Sequence, residues 1–327
     1  MSGARQRVIA VVGATATGKT ALGEALADAV QGEIVCADSR QVFAELDIGT
    51  GKPSAAEAAA RPHHLFDARR LGEATSAGWY AEACAEVRAG IHSRGRIPVL
   101  VGGSGLYIAA AQRGLAGTPP SDPAIRERLR HELAEHGASA LHARLAERDP
   151  ESAARLHPND AQRVTRALEV LESSGKPLSA WHAETRATAS DEVWTVIELD
   201  LEANTLNRRI RERAERMFAG GLLEETRTLL DSDRGDALRA LQAIGYDEAI
   251  AHLGGEISLT KATKHCSLRT RQLAKRQRTW FRHQIDALRL DATMLDLDHQ
   301  LALACDTFER GRGGAVAGGE AAGPRSD

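Results

Sequence analysis

The segment Gly13-Ala14-Thr15-Ala16-Thr17-Gly18-Lys19-Thr20 fits GxxxxGK[ST] at every fixed position. Before it, residues 8–12 (VIAVV) form a continuous apolar run, the pattern of a strand buried on both faces of a parallel sheet. After it, Leu22, Ala25, Leu26 and Ala29 recur at helical spacing. Strand, glycine loop and helix in this order give the motif its physical meaning. Glycines let backbone N–H groups approach a polyphosphate, and the helix presents its N-terminus to negative charge. Lys19 adds a point charge, and the Thr20 hydroxyl can ligate Mg2+. The loop therefore points to a diphosphate or triphosphate. It does not separate ATP users from prenyl-diphosphate users.

The flanking sequence extends this alternation. Residues 33–37 (EIVCA) read as a second strand, residues 79–92 as a helix, and residues 97–101 (IPVLV) as a third strand. That predicts an α/β, phosphate-loop NTPase-like core, with a parallel sheet flanked by helices. Near Pro119-Pro120 the pattern changes. Only helical periodicity follows, for example at Val164, Leu168 and Leu171, which predicts an inserted all-helical domain over residues 119–189. Strand character returns at residues 192–201 (EVWTVIELDL), and helices are expected from 204 to about 289. The core is thus expected to use residues 1–118 and 190–310. Residues 311–327 are rich in Gly and Ala and are expected to be disordered.

The second strand ends at Asp38-Ser39-Arg40-Gln41 and the third at Gly102-Gly103-Ser104-Gly105. Ligands of open parallel sheets sit at the carboxyl ends of the strands. Asp38 should therefore face the cleft that holds Lys19. There it can bind Mg2+ through water or accept a proton, or it can simply cap a turn. No acid follows IPVLV, so this strand does not end as an ordinary ATPase strand does. Asp200, after VIEL, is a substitute that keeps a small-molecule kinase open.

With 42 Lys and Arg against 45 Asp and Glu, the net charge is -3, so any nucleic-acid site must be local. Residues 261–289 supply one: nine Lys/Arg against the single acid Asp286. At 100° per residue, Arg271, Lys275, Arg278 and Arg282 share a face, with Leu273, Trp280, Phe281 and Leu288 roughly opposite. An outward basic stripe of this kind suits a phosphate backbone, although an ordinary solvated face has the same pattern. Arg163 and Arg166 form a weaker second patch. Trp280 and Phe281 read as core rather than as stacking platforms. Cys36, Cys84, Cys266 and Cys305 are widely spaced with no CxxC, the pattern of buried thiols. The N-terminal apolar run is too short for a signal h-region, and no stretch reaches the roughly 18 apolar residues of a membrane span. A cytoplasmic enzyme with no membrane partner, acting as a monomer, is expected.

An ordered series of segments resembles the tRNA dimethylallyltransferase (isopentenyl transferase) family of bacterial type. GATATGKT is similar to the family phosphate loop GPTASGK[ST], and ADSRQVFAELDIGTGKP to DSxQVYxxMDIGTAKP. HHLFD, IPVLVGGSGLYI, HPNDAQRVTRALEV, RMFAGGLLEE, AIGYDE and TRQLAKRQRTWFR follow in family order, so the resemblance spans about residues 9–282. It implies transfer of a dimethylallyl group from dimethylallyl diphosphate to the N6 amine of the adenine 3′ of the anticodon. Asp38 would be the general base. Gly13 to Thr20 would hold the diphosphate, with Mg2+ on Thr20, Ser104 in the substrate channel and Arg213 approaching the diphosphate. The anticodon stem-loop of tRNA would meet Asp38, Ser39, Arg40, Gln41 and Ser104. It would also meet Arg126, Gln162, Arg163, Val164, Thr165 and Arg166 of the insertion, and the stripe Arg271, Lys275, Arg278 and Arg282. The sequence departs from the family at Ala14, Thr17, Arg40, Phe43 and Ser104. The C-terminus lacks the zinc-finger pattern of eukaryotic relatives. A relative that prenylates free adenine nucleotides, and a tRNA-binding regulator without chemistry, are the other readings.

Overall fold

The VIAVV run lies at the heart of a sheet, with every residue from Val8 to Val12 fully buried. The computed structural model describes residues 5–114, 117–119, 122–187 and 192–311; of the expected tail, 312–327 lie outside them. The elements run β1 (Arg7–Gly13), α1 (Lys19–Val30), β2 (Gly32–Cys36), α2 (Ala55–Ala60), β3 (His63–His64), α3 (Ala77–Ser93), β4 (Ile97–Gly102) and α4 (Gly105–Arg113). Next come α5 (Pro123–Arg148), α6 (Pro150–Arg155), α7 (Ala161–Ser174), α8 (Leu178–Ala187) and β5 (Val193–Asp200). The chain closes with α9 (Ala203–Ala219), α10 (Leu222–Leu230), α11 (Gly235–Leu241), α12 (Tyr246–Leu253), α13 (Leu259–Gln284), β6 (Leu288–Asp291) and α14 (Leu297–Arg310).

Among the described residues, six strands pair in the order β3-β2-β4-β1-β5-β6, each parallel to its neighbours. The register pairs Val12 with Gly102 and Cys36 with Val101, so β1, β2 and β4 end level with one another. Their following loops therefore open at one edge. One face of the sheet is sealed by Leu22, Leu26 and Ala27 of α1 and by Ala304 and Phe308 of α14. Each large aliphatic or aromatic side chain buried this way contributes about 1.5–3 kcal/mol. The buried stripe of α1 is Leu22, Gly23, Leu26 and Ala27, rotated slightly from the expected one, because Ala29 points outward.

Two short strands escape sequence periodicity. His63 and His64 pair with Ile34 and Val35, which makes IPVLV the fourth strand rather than the third. Leu288, expected on the apolar face of one long helix, instead opens β6 and pairs with Ile197. α13 stops at Gln284 because Ile285 is extended (φ -132°, ψ 134°). Segments of two and four residues carry too little period to be read, and the neighbouring strand decides their conformation.

The contacts divide the chain into two compact units. The first comprises Met1–Thr75, Ala83–Ile108 and Asp191–Asp327, and the second Ser76–Glu82 and Ala109–Ser190. The second unit thus reaches beyond residues 119–189. Its own core gathers Leu129, Leu141 and Leu145 of α5 with Val164, Ala167 and Leu168 of α7. Among the described residues no helix is long and apolar enough to cross a membrane.

Candidate active site

Three loops leave the level ends of β1, β2 and β4, and the first of them builds an anion cradle. β1 ends at Gly13 and α1 begins at Lys19. Its N-cap, Gly18, is left-handed (φ 103°), and no side chain caps the helix. The N-terminal N–H groups of α1 thus have no side-chain acceptor competing with an anion. Inside the loop, the carbonyl of Ala14 accepts from the Thr17 hydroxyl (2.9 Å) and from Lys19 Nζ (2.6 Å). Lys19 therefore rests against its own loop.

The loops after β2 and β4 are stitched together. Ala37 donates its N–H to Val101 O (2.9 Å) and accepts from Ser104 N (3.1 Å). The Ser104 hydroxyl in turn accepts the N–H of Ser39 (2.9 Å). A Cβ on Gly102 would lie 2.0 Å from Ala37 O, so only glycine permits this approach. Asp38 Oδ1 accepts the N–H of Arg40 (2.8 Å), a local turn bond that shapes the loop. The turn role and the cleft-facing role of Asp38 thus coexist.

A cavity of about 450 Å3 opens over these loops, lined by Lys19, Thr20, Asp38, Ser104 and Arg213 among others. The structure brings these five residues of the sequence reading to one cavity. Arg213 comes from α9 and donates to Thr50 O (2.8 Å). Gln41 Nε2 donates to the same Thr50 O (3.2 Å) and to Gly51 O (3.1 Å). The loop carrying Thr50 is anchored by Glu225, which accepts Ile48 N–H (2.9 Å) and the hydroxyl of buried Tyr246.

Electrostatics in the cavity are set by burial. Desolvation pushes the Lys19 ammonium down to about 8, with the Asp38 carboxylate opposing the shift and Arg213 reinforcing it. Burial also lowers the Arg213 guanidinium, against Asp38, with Arg216 adding to the shift. Two cations thus share a half-desolvated space with one carboxylate, an arrangement that a polyanion would complete. The thiols do not compete as nucleophiles. Burial and then the Asp38 charge push Cys36 up, and burial and then the Glu248 charge push Cys266 up to about 11.

No group of three or more His, Cys, Asp or Glu side chains among the described residues could hold a metal alone. Thr20 and Asp38 nevertheless face the same cavity, and Mg2+ commonly completes its shell with substrate phosphate oxygens and water. The residues present fit a substrate-borne Mg2+. Asp200 lies elsewhere: it is held by Arg278 (2.8 Å and 3.0 Å) and does not line the cavity.

That ion pair corrects the basic stripe. Lys275 and Arg282 are exposed, but Arg278 turns toward Asp200 and is half-buried, as is Arg271, whose Nη2 donates to Ser267 Oγ (3.5 Å). The face of α13 that lines the cavity instead includes Arg269, Gln272, Leu273, Arg276 and Gln277. Arg269 is bound to Asp247 and Glu248, both at 2.8 Å, whereas the side chain of exposed Arg276 makes no hydrogen bond or ion pair among the described residues. Sequence reasoning missed Arg276 and Gln277. In TRQLAKRQRTWFR (270–282), 272, 273, 276 and 277 fall with the preceding Arg269 on one helical face, but the period alone does not say that this face meets the cavity. Phe281 is core, and Trp280 is half-buried against Gly105.

The remaining candidates belong to the second unit. Gln162 and Arg163 are exposed at the start of α7, and Arg126 is exposed near buried Glu169 (3.7 Å). Arg166 is tied to Thr118 Oγ1 (3.2 Å), Pro119 O (3.0 Å) and Glu169 (3.3 Å). Thr165 is half-buried. The Val164 side chain is fully buried in the core, so it offers no surface for a ligand.

A family model described as IPP transferase matches residues 41–284. The tRNA dimethylallyltransferase of Geobacter sulfurreducens is 45% identical over 283 residues, 86% of this chain and 90% of that protein. The tRNA dimethylallyltransferase of Syntrophobacter fumaroxidans is 44% identical over 275 residues, 84% of this chain and 80% of that protein. Among solved structures, the tRNA isopentenylpyrophosphate transferase of Bacillus halodurans superposes with a TM-score of 0.69 at 34% identity, covering 94% of this chain and 98% of that one. A eukaryotic dimethylallyltransferase acting on tRNA gives a TM-score of 0.74 at 27% identity, covering 92% and 77%.

Proposed function

The chain belongs to the IPP transferase family, and on that premise we propose that it moves the dimethylallyl group of dimethylallyl diphosphate onto the N6 amine of the adenine 3′ of the anticodon in tRNA. The observation that carries this reading is the convergence of Lys19, Thr20, Asp38, Ser104 and Arg213 on one cavity.

The chemistry follows from that arrangement. The allylic C–O bond breaks as the C–N bond to the adenine forms, and diphosphate leaves with the bonding electrons. Negative charge grows on the leaving oxygens, where the α1 N-terminus, Lys19 and Arg213 stabilise it. The Thr20 hydroxyl would hold Mg2+, which would supply further positive charge against the leaving group. The exocyclic amine is a poor nucleophile, so Asp38 orients it and takes its proton. The adenine reaches the cavity by leaving the anticodon stack. With Asp200 engaged by Arg278, a kinase reading has lost its candidate metal-binding acid.

The direct test incubates the purified chain with dimethylallyl diphosphate and either tRNA or AMP, with mass analysis of the nucleosides. Dimethylallyladenosine at the anticodon-adjacent position of tRNA, without added ATP, is the expected product. Modification of AMP alone would move the chain to the adenine-nucleotide class.

The exposed residues of α13 give a second expectation. Affinity for tRNA should fall steeply with salt. Lys275→Ala and Arg282→Ala should each reduce the slope of log K against log salt by about one counterion. Arg278→Ala should change the slope less, because Asp200 already neutralises that arginine. Titrations across a KCl series decide this. Unchanged slopes for both exposed residues would remove the stripe from the tRNA surface.

A further inference from the structure

Gln277 lies on the same helix as the basic stripe, yet its side chain ends between two substrate loops. Its Oε1 accepts the N–H of Thr15 at 2.9 Å, and its Nε2 donates to the carbonyl of Gly103 at 2.9 Å. Partner chemistry fixes the amide orientation, because an N–H needs an acceptor and a carbonyl needs a donor. A Cβ on Gly103 would lie 2.5 Å from Nε2, so the bridge also requires glycine there.

The two bonded groups sit at the roots of opposite halves of the site. Thr15 lies on the rising limb of the phosphate loop, ahead of the α1 N-terminus. Gly103 precedes Ser104, whose hydroxyl fixes Ser39 beside Asp38. One amide therefore sets the spacing between the loop expected to hold the diphosphate and the loop expected to hold the amine and its base. We propose that Gln277 is a positioning residue that sets the distance between the two reacting substrates by bridging the loops that hold them. The proposal rests on the transferase reading above.

The physical consequence is specific. Two loops that drift apart can still each bind a ligand, but the attacking nitrogen and the allylic carbon lose their near-attack geometry. A misplacement of about 1 Å can cost on the order of 10²-fold in rate. Glutamate at this position would keep an acceptor for Thr15, lose the donor to Gly103, and add negative charge beside the phosphate loop.

The test uses the full chain with tRNA and dimethylallyl diphosphate. For Gln277→Leu, the single-turnover rate at saturation should fall about 10- to 100-fold. The separate affinities for tRNA and for dimethylallyl diphosphate should stay within about twofold of those of the unaltered protein, and so should KM. A merely structural role would weaken both affinities together with the rate. If the leucine variant does not fold, Gln277→Glu serves, and it should show the same rate loss with weakened diphosphate affinity. A saturated rate within about twofold of the original, in the leucine variant or in its glutamate replacement, overturns the proposal. So does a rate loss accompanied by loss of tRNA affinity. If the unaltered chain forms no prenylated nucleoside, the transferase reading fails instead.

Discussion

Asp38→Asn is expected to slow single-turnover prenyl transfer by about 10²–10⁴-fold, with little change in affinity for either substrate. Asparagine is nearly isosteric with aspartate, and its Oδ1 can still accept the N–H of Arg40, so the turn that shapes this loop survives. Ser39 and Ser104 keep their own bond and hold the loop against β4. What disappears is the capacity to take a proton from the adenine amine as the C–N bond forms. Removing the carboxylate also removes the charge that opposes the downward shift of Lys19. Affinity for dimethylallyl diphosphate should therefore hold near neutral pH and weaken at a lower pH than in the unaltered protein. The measurement is a rapid-quench single turnover at saturating tRNA and dimethylallyl diphosphate, beside equilibrium binding of each. Loss of tRNA binding with an unchanged chemical step would make Asp38 a recognition residue and leave the base to be sought elsewhere.

Lys19→Ala should lower turnover on the order of 10²-fold or more, the scale for removing one preorganised transition-state contact. The surviving helix N-terminus and Arg213 set the residual rate. The lysine also carries a pH signature. Burial pushes its ammonium down to about 8, so the free protein loses this charge as pH rises through that value. A diphosphate binds the protonated form and raises the group's affinity for its proton. Affinity for dimethylallyl diphosphate should therefore be flat below about pH 8 and fall above it, by at most tenfold per pH unit for one proton. In Lys19→Ala this fall should vanish. Binding measured from pH 6.5 to 9.5 tests both variants. Near-normal turnover in Lys19→Ala, or an undiminished pH fall, would separate Lys19 from the diphosphate.

Contiguous patterns were legible from the chain alone. VIAVV, the glycine loop and the following helix announce themselves within about twenty residues, because a strand buried on both faces and a phosphate loop each have a local signature. From there, the rule that strand ends line the crevice placed Asp38 and Ser104 opposite Lys19, and the level register of β1, β2 and β4 brings them there. The strands at His63 and Leu288 were not legible, because segments that short take their conformation from the strand beside them. The working face of α13 was not legible either. Periodicity groups Arg271, Lys275, Arg278 and Arg282, but cannot say that Asp200 will claim one of them or which face will meet the cavity. Gln277 reads in sequence as one more polar residue on a basic helix. Its two partners lie 262 and 174 positions away, and hydrogen bonds across such separations exist only once the sheet has brought three loops to one edge. Residue chemistry and local period are properties of neighbouring residues along the chain. The partner of a charge or an amide is a property of the assembled core, and only the folded structure supplies it.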